Sequence, residues 1–180
     1  MKKSKRSNVD PFIVMYVMES ARKAESSGKN IIHMEVGQPG TAAPKLAKDF
    51  IANEIKKNKL GYTVTLGLPA LREKISRLYG ERYNLDINTS RIVITTGSSG
   101  AFILSFATLF NAGDRVGIAS PGYPSYRQIL KSQDLIQIDI KTEIENKFQP
   151  VPKDIKKNNL NGILVASPAN PTGSMIDKKS

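Results

Sequence analysis

The pattern of apolar and polar side chains predicts six α-helices, and at residues 44–57 and from Pro69 onward the apolar positions recur at the three-to-four spacing of one helix face. Asp10 as N-cap and Pro11 at the first helical position start the first of these helices, which ends at Gly28. Further helices are predicted at residues 44–57, from Pro69 onward, and at 99–109, 123–131 and 152–158.

Short apolar runs between these helices predict strands, at residues 30–34, 91–95, 115–119, 135–140 and 163–166. Strands that alternate with helices favour an α/β fold with a mostly parallel, doubly wound sheet. Only residues 175–180 follow the last strand and its loop, so the crossover that should cover this strand is missing. We therefore expect the sheet to be incomplete at the C-terminus.

Composition narrows the class of protein. With 180 residues, 39% of them hydrophobic, the chain can bury a core, and the absence of cysteine excludes disulfide and thiolate chemistry. No apolar run approaches the roughly 20 residues of a membrane span. Asp10 and Pro11 also interrupt the apolar segment near the N-terminus, which argues against a signal peptide. These features predict a cytoplasmic protein without a membrane partner.

The chain carries a formal net charge of +11 and a pI near 9.8, which raises the question of nucleic-acid binding. The lysines are dispersed over faces that we expect to be solvated, and only residues 2–6 form a compact basic run. We therefore predict no nucleic-acid partner. A non-catalytic module that uses the basic run on nucleic acid is the alternative.

Three loops rich in small and rigid residues each follow a predicted strand, at residues 96–100, 120–126 and 167–173. In an open α/β sheet, ligands bind just past the carboxyl ends of the strands. In the last loop, Asn170 stands in a proline-flanked stretch that restricts the backbone and directs its side-chain amide to a fixed point. We expect these loops to converge on one crevice.

Each candidate ligand contact has a structural alternative. The small residues at 96–100 open a helix whose N-terminal N–H groups favour a phosphate monoester, or they form an ordinary cap. Tyr123 and Tyr62 can each present a ring to a ligand or simply pack. His33, the only histidine, is interpreted as structural because no nucleophile or metal-ligand cluster surrounds it, and no metal site is predicted.

Seven segments of the chain resemble, in the same order, motifs of the class I/II aminotransferases, which are fold-type-I enzymes dependent on pyridoxal 5′-phosphate. They are Pro11-Phe12, Val36-Gly37-Gln38-Pro39, Gly61-Tyr62-Thr63 with residues 67–72, Thr96-Gly97-Ser98-Ser99, residues 111–114, Pro121-Gly122-Tyr123-Pro124 and Ala169-Asn170-Pro171-Thr172-Gly173. The resemblance implies a homodimer that transfers an amino group between an amino acid and a 2-oxo acid.

The resemblance also implies a domain division and roles for single residues. Residues 1–40 would form an N-terminal arm and helix of the small domain, and residues 41–180 the N-terminal portion of the large cofactor-binding domain. Ser98 and Ser99 would contact the cofactor phosphate, and Tyr123 would stack on the pyridine ring. Asn170 would contact the phenolic oxygen of that ring and the substrate. Gly37 would lie against the substrate carboxylate, and Tyr62 would reach the phosphate bound in a neighbouring subunit.

Three catalytic residues of the family follow its Asn-Pro-Thr-Gly loop: the Schiff-base lysine, the aspartate at the pyridine nitrogen and the arginine for the substrate carboxylate. Lys178 and Lys179 come too soon after the loop to be that lysine. Gly100 stands where members of the family often have a polar residue, and Ser167 stands where many have Asn. We expect the N-terminal part of an aminotransferase, inactive alone. Another fold-type-I enzyme such as a C–S lyase, or a non-catalytic remnant that binds a phosphate ligand, is the alternative.

Overall fold

The computed structural model describes residues 2–177, which form two compact units. One unit combines the residues up to Ser20 with those from Gly97 onward, and the other is Ala21–Thr96. The helices are α1 (Ile13–Ser26), α2 (Lys45–Lys57), α3 (Pro69–Tyr83), α4 (Gly97–Leu109), α5 (Ser125–Ser132) and α6 (Pro152–Lys157). The strands are β1 (Arg115–Ser120), β2 (Ile136–Lys141) and β3 (Gly162–Leu164).

Strand β1 lies at the centre of a parallel sheet with the order β2-β1-β3. Val116 is in register with Gln137 of β2 and with Gly162 of β3. Parallel neighbours need helical crossovers, and the chain supplies α5 between β1 and β2 and α6 between β2 and β3. The α/β fold with a parallel sheet is therefore confirmed, and the carboxyl ends of all three strands share one edge.

The core lies between one face of this sheet and two helices. Val116 and Ile118 of β1 point to the same face because side chains alternate along a strand. They are buried with Phe106 of α4, and with Ile129 and Leu130 of α5. Burial of each such side chain contributes about 1.5–3 kcal/mol. This packing fixes α4 and α5 on the sheet, and with them the loops that precede both helices.

The opposite face of β1 is also covered. A Cβ atom built on Gly117 would lie 2.7 Å from Cδ1 of Leu160 and 2.9 Å from Cδ1 of Ile140. An added Cβ would displace these two terminal methyl groups, so the glycine leaves room for the side chains that cover this face. Side chains therefore pack on both faces of the central strand, as a doubly wound sheet demands.

The unit Ala21–Thr96 is held together around α3. The guanidinium Nε of Arg72 donates to the carbonyl oxygens of Thr89 at 3.1 Å and Ile92 at 3.0 Å. Gly67 has a φ of +96°, and its Cβ position would lie 2.4 Å from Cγ1 of Ile94. These contacts anchor the segment that leads into α4.

Two predicted strands are wrong. Residues 30–34 and 91–95 are extended or irregular, and within residues 2–177 neither segment pairs with another strand. Instead, the N–H of Ile94 donates to the loop carbonyl of Leu66 at 3.0 Å. Ile32 and Met34 are largely exposed. An apolar run becomes a strand only where a neighbouring strand accepts its hydrogen bonds, and this condition is not visible in the run itself.

The first helix begins at Ile13 rather than Pro11, and Asp10 does not cap it. The carboxylate of Asp10 instead accepts a hydrogen bond from Nζ of Lys131 at 2.9 Å, which ties the N-terminal segment to α5. Over residues 2–177, no helix has the length and apolarity to cross a bilayer. The predicted domain boundary after residue 40 stays a prediction.

Candidate cofactor site

A pocket lies at the edge of the sheet where β1 and β3 end. Its walls include Ala119 and Gly122 from the end of β1 and the following turn, Ala166 and Asn170 from the segment after β3, and Tyr126 of α5. The structure thus brings together two of the three loops that the sequence predicts to converge. The pocket belongs entirely to the unit that contains the sheet.

The turn after β1 folds tightly back over the strand end. A Cβ atom on Gly122 would lie 2.4 Å from the carbonyl oxygen of Ala119, so a side chain cannot be accommodated there. The carbonyl oxygen of Ser120 accepts hydrogen bonds from the backbone N–H and the hydroxyl of Thr142, both at 3.0 Å. The turn is therefore attached to the end of β2 and does not depend on its own residues alone.

Tyr123 is held by other aromatic rings. Its ring lies edge-on to Phe12, with centroids 6.5 Å apart, and to Tyr126, with centroids 5.3 Å apart. Tyr126 in turn contacts Phe102 of α4, with centroids 5.1 Å apart. Burial, and secondarily the nearby Tyr123, raises the pKa of Tyr126, which keeps its phenol protonated at neutral pH. The packing fixes the orientation of the Tyr123 ring.

Ser98 and Ser99 lie in the first turn of α4 and are exposed. The chain enters this helix through Gly97, whose φ of +76° is a left-handed conformation. Phe102, which contacts Tyr126, follows the two serines by four and three residues, and residues at these spacings share a helix face. Both serines therefore lie on the side of α4 that faces Tyr126 and α5.

The loop after β3 is closed on itself by short backbone hydrogen bonds. The N–H of Ala169 donates to the carbonyl oxygen of Ser174 at 2.9 Å, and the N–H of Gly173 donates to that of Ala169 at 2.7 Å. The peptide bond between Asn170 and Pro171 is cis. Asn170 stands at the tip of this closed loop, exposed and facing the pocket.

A buried polar side chain that no sequence motif indicates contacts both ends of the loop. Gln149 is only 5% exposed, and its Nε2 donates to the carbonyl oxygens of Ala166 at 3.2 Å and Ser174 at 2.9 Å. These partners are 17 and 25 residues away in sequence. No local pattern marks a contact of that range, and the residue lies in a connection that the sequence presents as polar.

Two other predicted residues belong to the unit Ala21–Thr96. Gly37 is exposed, and no atom lies within 4 Å of its Cβ position. Tyr62 is fully exposed in its loop. Their predicted contacts with substrate and with a neighbouring subunit stay predictions, and Lys178 and Lys179 lie outside the described residues.

His33 bridges two carboxylates in the same unit. Its Nδ1 lies 2.6 Å from Oε1 of Glu35, and its Nε2 lies 2.8 Å from Oε1 of Glu25. The hydrogen bond to Glu35, followed by that to Glu25, raises the pKa of His33 to about 9. The imidazole is therefore charged at neutral pH and links α1 to the segment at Glu35.

Comparison with known proteins identifies the family of the chain. The profile of aminotransferase class I and II matches residues 29–180. Valine–pyruvate aminotransferase of Mycobacterium tuberculosis is 40% identical over 173 residues, which are 95% of this chain and 45% of that protein. The (5-formylfuran-3-yl)methyl phosphate transaminase of Methanocaldococcus jannaschii is 34% identical over 172 residues, 96% of this chain and 45% of that protein.

A solved structure agrees with these sequence matches. A Silicibacter pomeroyi protein assigned as an aminotransferase is 55% identical and superposes with a TM-score of 0.85, over 99% of this chain and 46% of that chain. The chain thus spans about half the length of the relatives it matches. Since the profile covers most of the chain and the fold agrees, the chain belongs to the class I and II aminotransferase family.

Proposed function

We propose that the protein is a pyridoxal 5′-phosphate-dependent aminotransferase that moves an amino group between an amino acid and a 2-oxo acid. The observation that carries the proposal is the pocket at the strand ends, where Asn170 and the turn at Gly122 meet. A cofactor with a phosphate, a planar ring and a phenolic oxygen needs three different contacts. Asn170 lies at the pocket, Tyr123 is in the turn that forms one of its walls, and the two serines are on α4, which contacts Tyr126 of the pocket through Phe102.

The first turn of α4 suits the cofactor phosphate. N–H groups in the first turn of a helix have no acceptor within the helix, and the helix dipole favours an anion there. α4 is 13 residues long, and Ser98 and Ser99 add two exposed hydroxyls on the side that faces Tyr126. These two serines would hold the phosphate.

Tyr123 and Asn170 suit the ring. The Tyr123 ring, fixed by Phe12 and Tyr126, would stack on the pyridine ring. The side-chain amide of Asn170 would donate a hydrogen bond to the phenolic oxygen and stabilise its deprotonated form. When bound, the cofactor supplies an electron sink for the bond changes at the substrate Cα. The residues described here bind and orient it.

The substrate class follows from the family, and the individual substrate does not. Gly37 would leave room for the carboxylate that all amino acids and 2-oxo acids share, since it has no side chain to obstruct the approach. The names of the two relatives describe substrates as different as valine and a furan phosphate. The proposal therefore names an amino acid and a 2-oxo acid as classes.

The proposal includes a cytoplasmic homodimer without a nucleic-acid or membrane partner. Helix α2 carries four large apolar side chains that are more than half exposed: Leu46, Phe50, Ile51 and Ile55. An apolar face of this kind is typical of a surface that another protein covers. A second copy of the chain would cover it, and the fully exposed Tyr62 would then reach the phosphate held by the other subunit.

The proposal is tested by binding of the cofactor to the chain. Pyridoxal 5′-phosphate is titrated into the wild-type chain and into the Asn170→Ala variant, and binding is followed by the absorbance of the cofactor. Pyridoxal without its phosphate is the matched ligand. We expect the phosphorylated form to bind more tightly and the Asn170→Ala variant to bind it about tenfold more weakly, as for a lost hydrogen bond to a charged group. Equal affinity for both ligands would contradict the proposal.

A further inference from the structure

Gln149 is a buried polar side chain, and an apolar residue at this position would avoid the free-energy cost of removing an amide from water. It is 5% exposed, next to Pro150, which is also buried. An amide removed from water must recover its hydrogen bonds inside the protein or destabilise the fold. Its Nε2 does so with the carbonyl oxygens of Ala166 and Ser174 and, at 3.3 Å, with the hydroxyl of Ser174.

These acceptors stand on either side of the loop that carries Asn170. Ala166 precedes the loop and Ser174 follows it, so one NH2 group joins the two ends of residues 167–173. The amide has two N–H donors, which matches two carbonyl acceptors. The Ser174 hydroxyl also lies 2.8 Å from that of Thr172, so the connection extends into the loop itself.

We propose that Gln149 is a positioning residue for Asn170, and that it acts by holding both ends of loop 167–173 at a fixed separation. The inference rests on the proposed function, in which Asn170 contacts the cofactor. Prolines and closing hydrogen bonds restrict the interior of the loop. At its base, the N–H of Ile176 donates to the hydroxyl of Ser167 at 3.1 Å in an exposed position, and Gln149 supplies the buried connection between the two ends. Gln149 and Pro150 line the same pocket as Asn170.

Two substitutions separate hydrogen bonding from simple filling of space. Gln149→Met keeps the length of the side chain and removes both donors. Gln149→Glu puts a carboxyl group against the same three oxygens. When ionised, this group has no proton to donate and is repelled by the two carbonyl oxygens, so its pKa is raised. When protonated, it donates one hydrogen bond. The Glu variant should therefore recover as the pH falls, and the Met variant should not.

The experiment measures loop order and ligand affinity in the same chain. Hydrogen exchange is followed at the N–H groups of Ala169 and Gly173, whose hydrogen bonds close the loop. Affinity for pyridoxal 5′-phosphate is measured in parallel, and both are expressed relative to wild type at each pH. For Gln149→Met we expect exchange about tenfold faster and affinity about tenfold weaker, as for buried hydrogen bonds that are lost.

A matched control comes from β2. The Nε2 of Gln137 donates to Oδ1 of Asp139 at 2.8 Å, away from the loop. Gln137→Met makes the same chemical change and should leave both measurements at the wild-type value. If Gln149→Met accelerates exchange throughout β1 and β2 as well, the substitution has destabilised the whole sheet, and the Glu variant then decides. Recovery of its loop exchange and ligand affinity at low pH supports the proposal, and absence of that recovery overturns it.

The remaining outcomes separate this proposal from the one on which it rests. Unchanged loop exchange in both Gln149 variants overturns the positioning role, whatever happens to affinity. Faster exchange with unchanged affinity overturns it too, because the loop would then be held without consequence for the ligand. A wild-type chain that binds no pyridoxal 5′-phosphate overturns the proposed function, while the exchange rates still decide whether Gln149 holds the loop.

Discussion

A negative charge at the start of α4 separates phosphate binding from folding, because the two should respond in opposite directions. Ser99 lies exposed in the first turn of the helix, where we propose that the cofactor phosphate binds. In Ser99→Glu, the new carboxylate faces a phosphate monoester that carries a charge of about −1.5 to −2 at pH 7. The same carboxylate interacts favourably with the helix dipole and stabilises the helix by about 0.3–1 kcal/mol.

The magnitude follows from the exposure of the site. A carboxylate and a phosphate of charge about −1.5 to −2 that lie about 5 Å apart repel by roughly 1.5 kcal/mol in water and about 5–7 kcal/mol at the effective dielectric of a protein surface. Since each 1.4 kcal/mol is about a factor of ten, the affinity for pyridoxal 5′-phosphate should fall by at least about tenfold. The affinity for pyridoxal should not change, and the resistance to urea should be equal or slightly higher.

The control places the same charge elsewhere on the same helix. Ser105 is exposed on α4, six residues after Ser99, which is about 9 Å along the helix axis at its usual rise. Ser105→Glu should leave cofactor affinity within about twofold of wild type. If both variants lose the same affinity for pyridoxal 5′-phosphate, or if Ser99→Glu weakens the binding of pyridoxal equally, the first turn of α4 does not bind the phosphate.

The remaining predictions concern stability, each measured by urea unfolding. The folded pKa of His33, about 9, lies above its ordinary 6.5, so the stability from its bridge to Glu25 and Glu35 is complete below pH 6.5 and lost as the pH rises through 9. His33→Gln should abolish that loss; an unchanged alkaline loss would refute the assignment. Gly67→Ala should cost about 1–3 kcal/mol through its φ and its contact with Ile94, and an unchanged midpoint would contradict this. Leu130→Ala should cost about 2–5 kcal/mol, against about 0.5 kcal/mol or less for the exposed Leu109→Ala, and similar costs would mean that the core is elsewhere.

Sequence patterns located the elements whose signals are local. The strand predicted at 115–119 is β1, and the helix predicted from Pro69 is α3, because apolar spacing and a proline at the first position act within a few residues. The segment 91–95 has the same local signal as β1. It is not a strand, because pairing depends on a second segment that the apolar run does not specify.

In the candidate site too, only features with a local sequence signal could be predicted. The loops at Tyr123 and Asn170 could be predicted, since glycine and proline after a strand mark a shaped turn. The rings of Phe12 and Tyr126 that hold Tyr123, and the amide of Gln149 below the loop, could not. Their contacts join segments far apart in sequence. Asp10 has every property of a helix cap, yet the distant Lys131 binds it instead.

The aromatic contacts beside the pocket continue beyond Tyr126. Phe102 contacts Phe106, with centroids 5.7 Å apart, and Phe106 contacts Phe110 at 6.0 Å. Six rings therefore form an unbroken row from the N-terminal segment to the end of α4, in a chain that has no tryptophan. Coupled rings in fixed orientations produce circular dichroism in the near ultraviolet. The row thus contributes an intrinsic optical signal from the unit that contains the pocket, in addition to that of the Tyr79–Tyr83 pair in the other unit, whose centroids lie 5.5 Å apart.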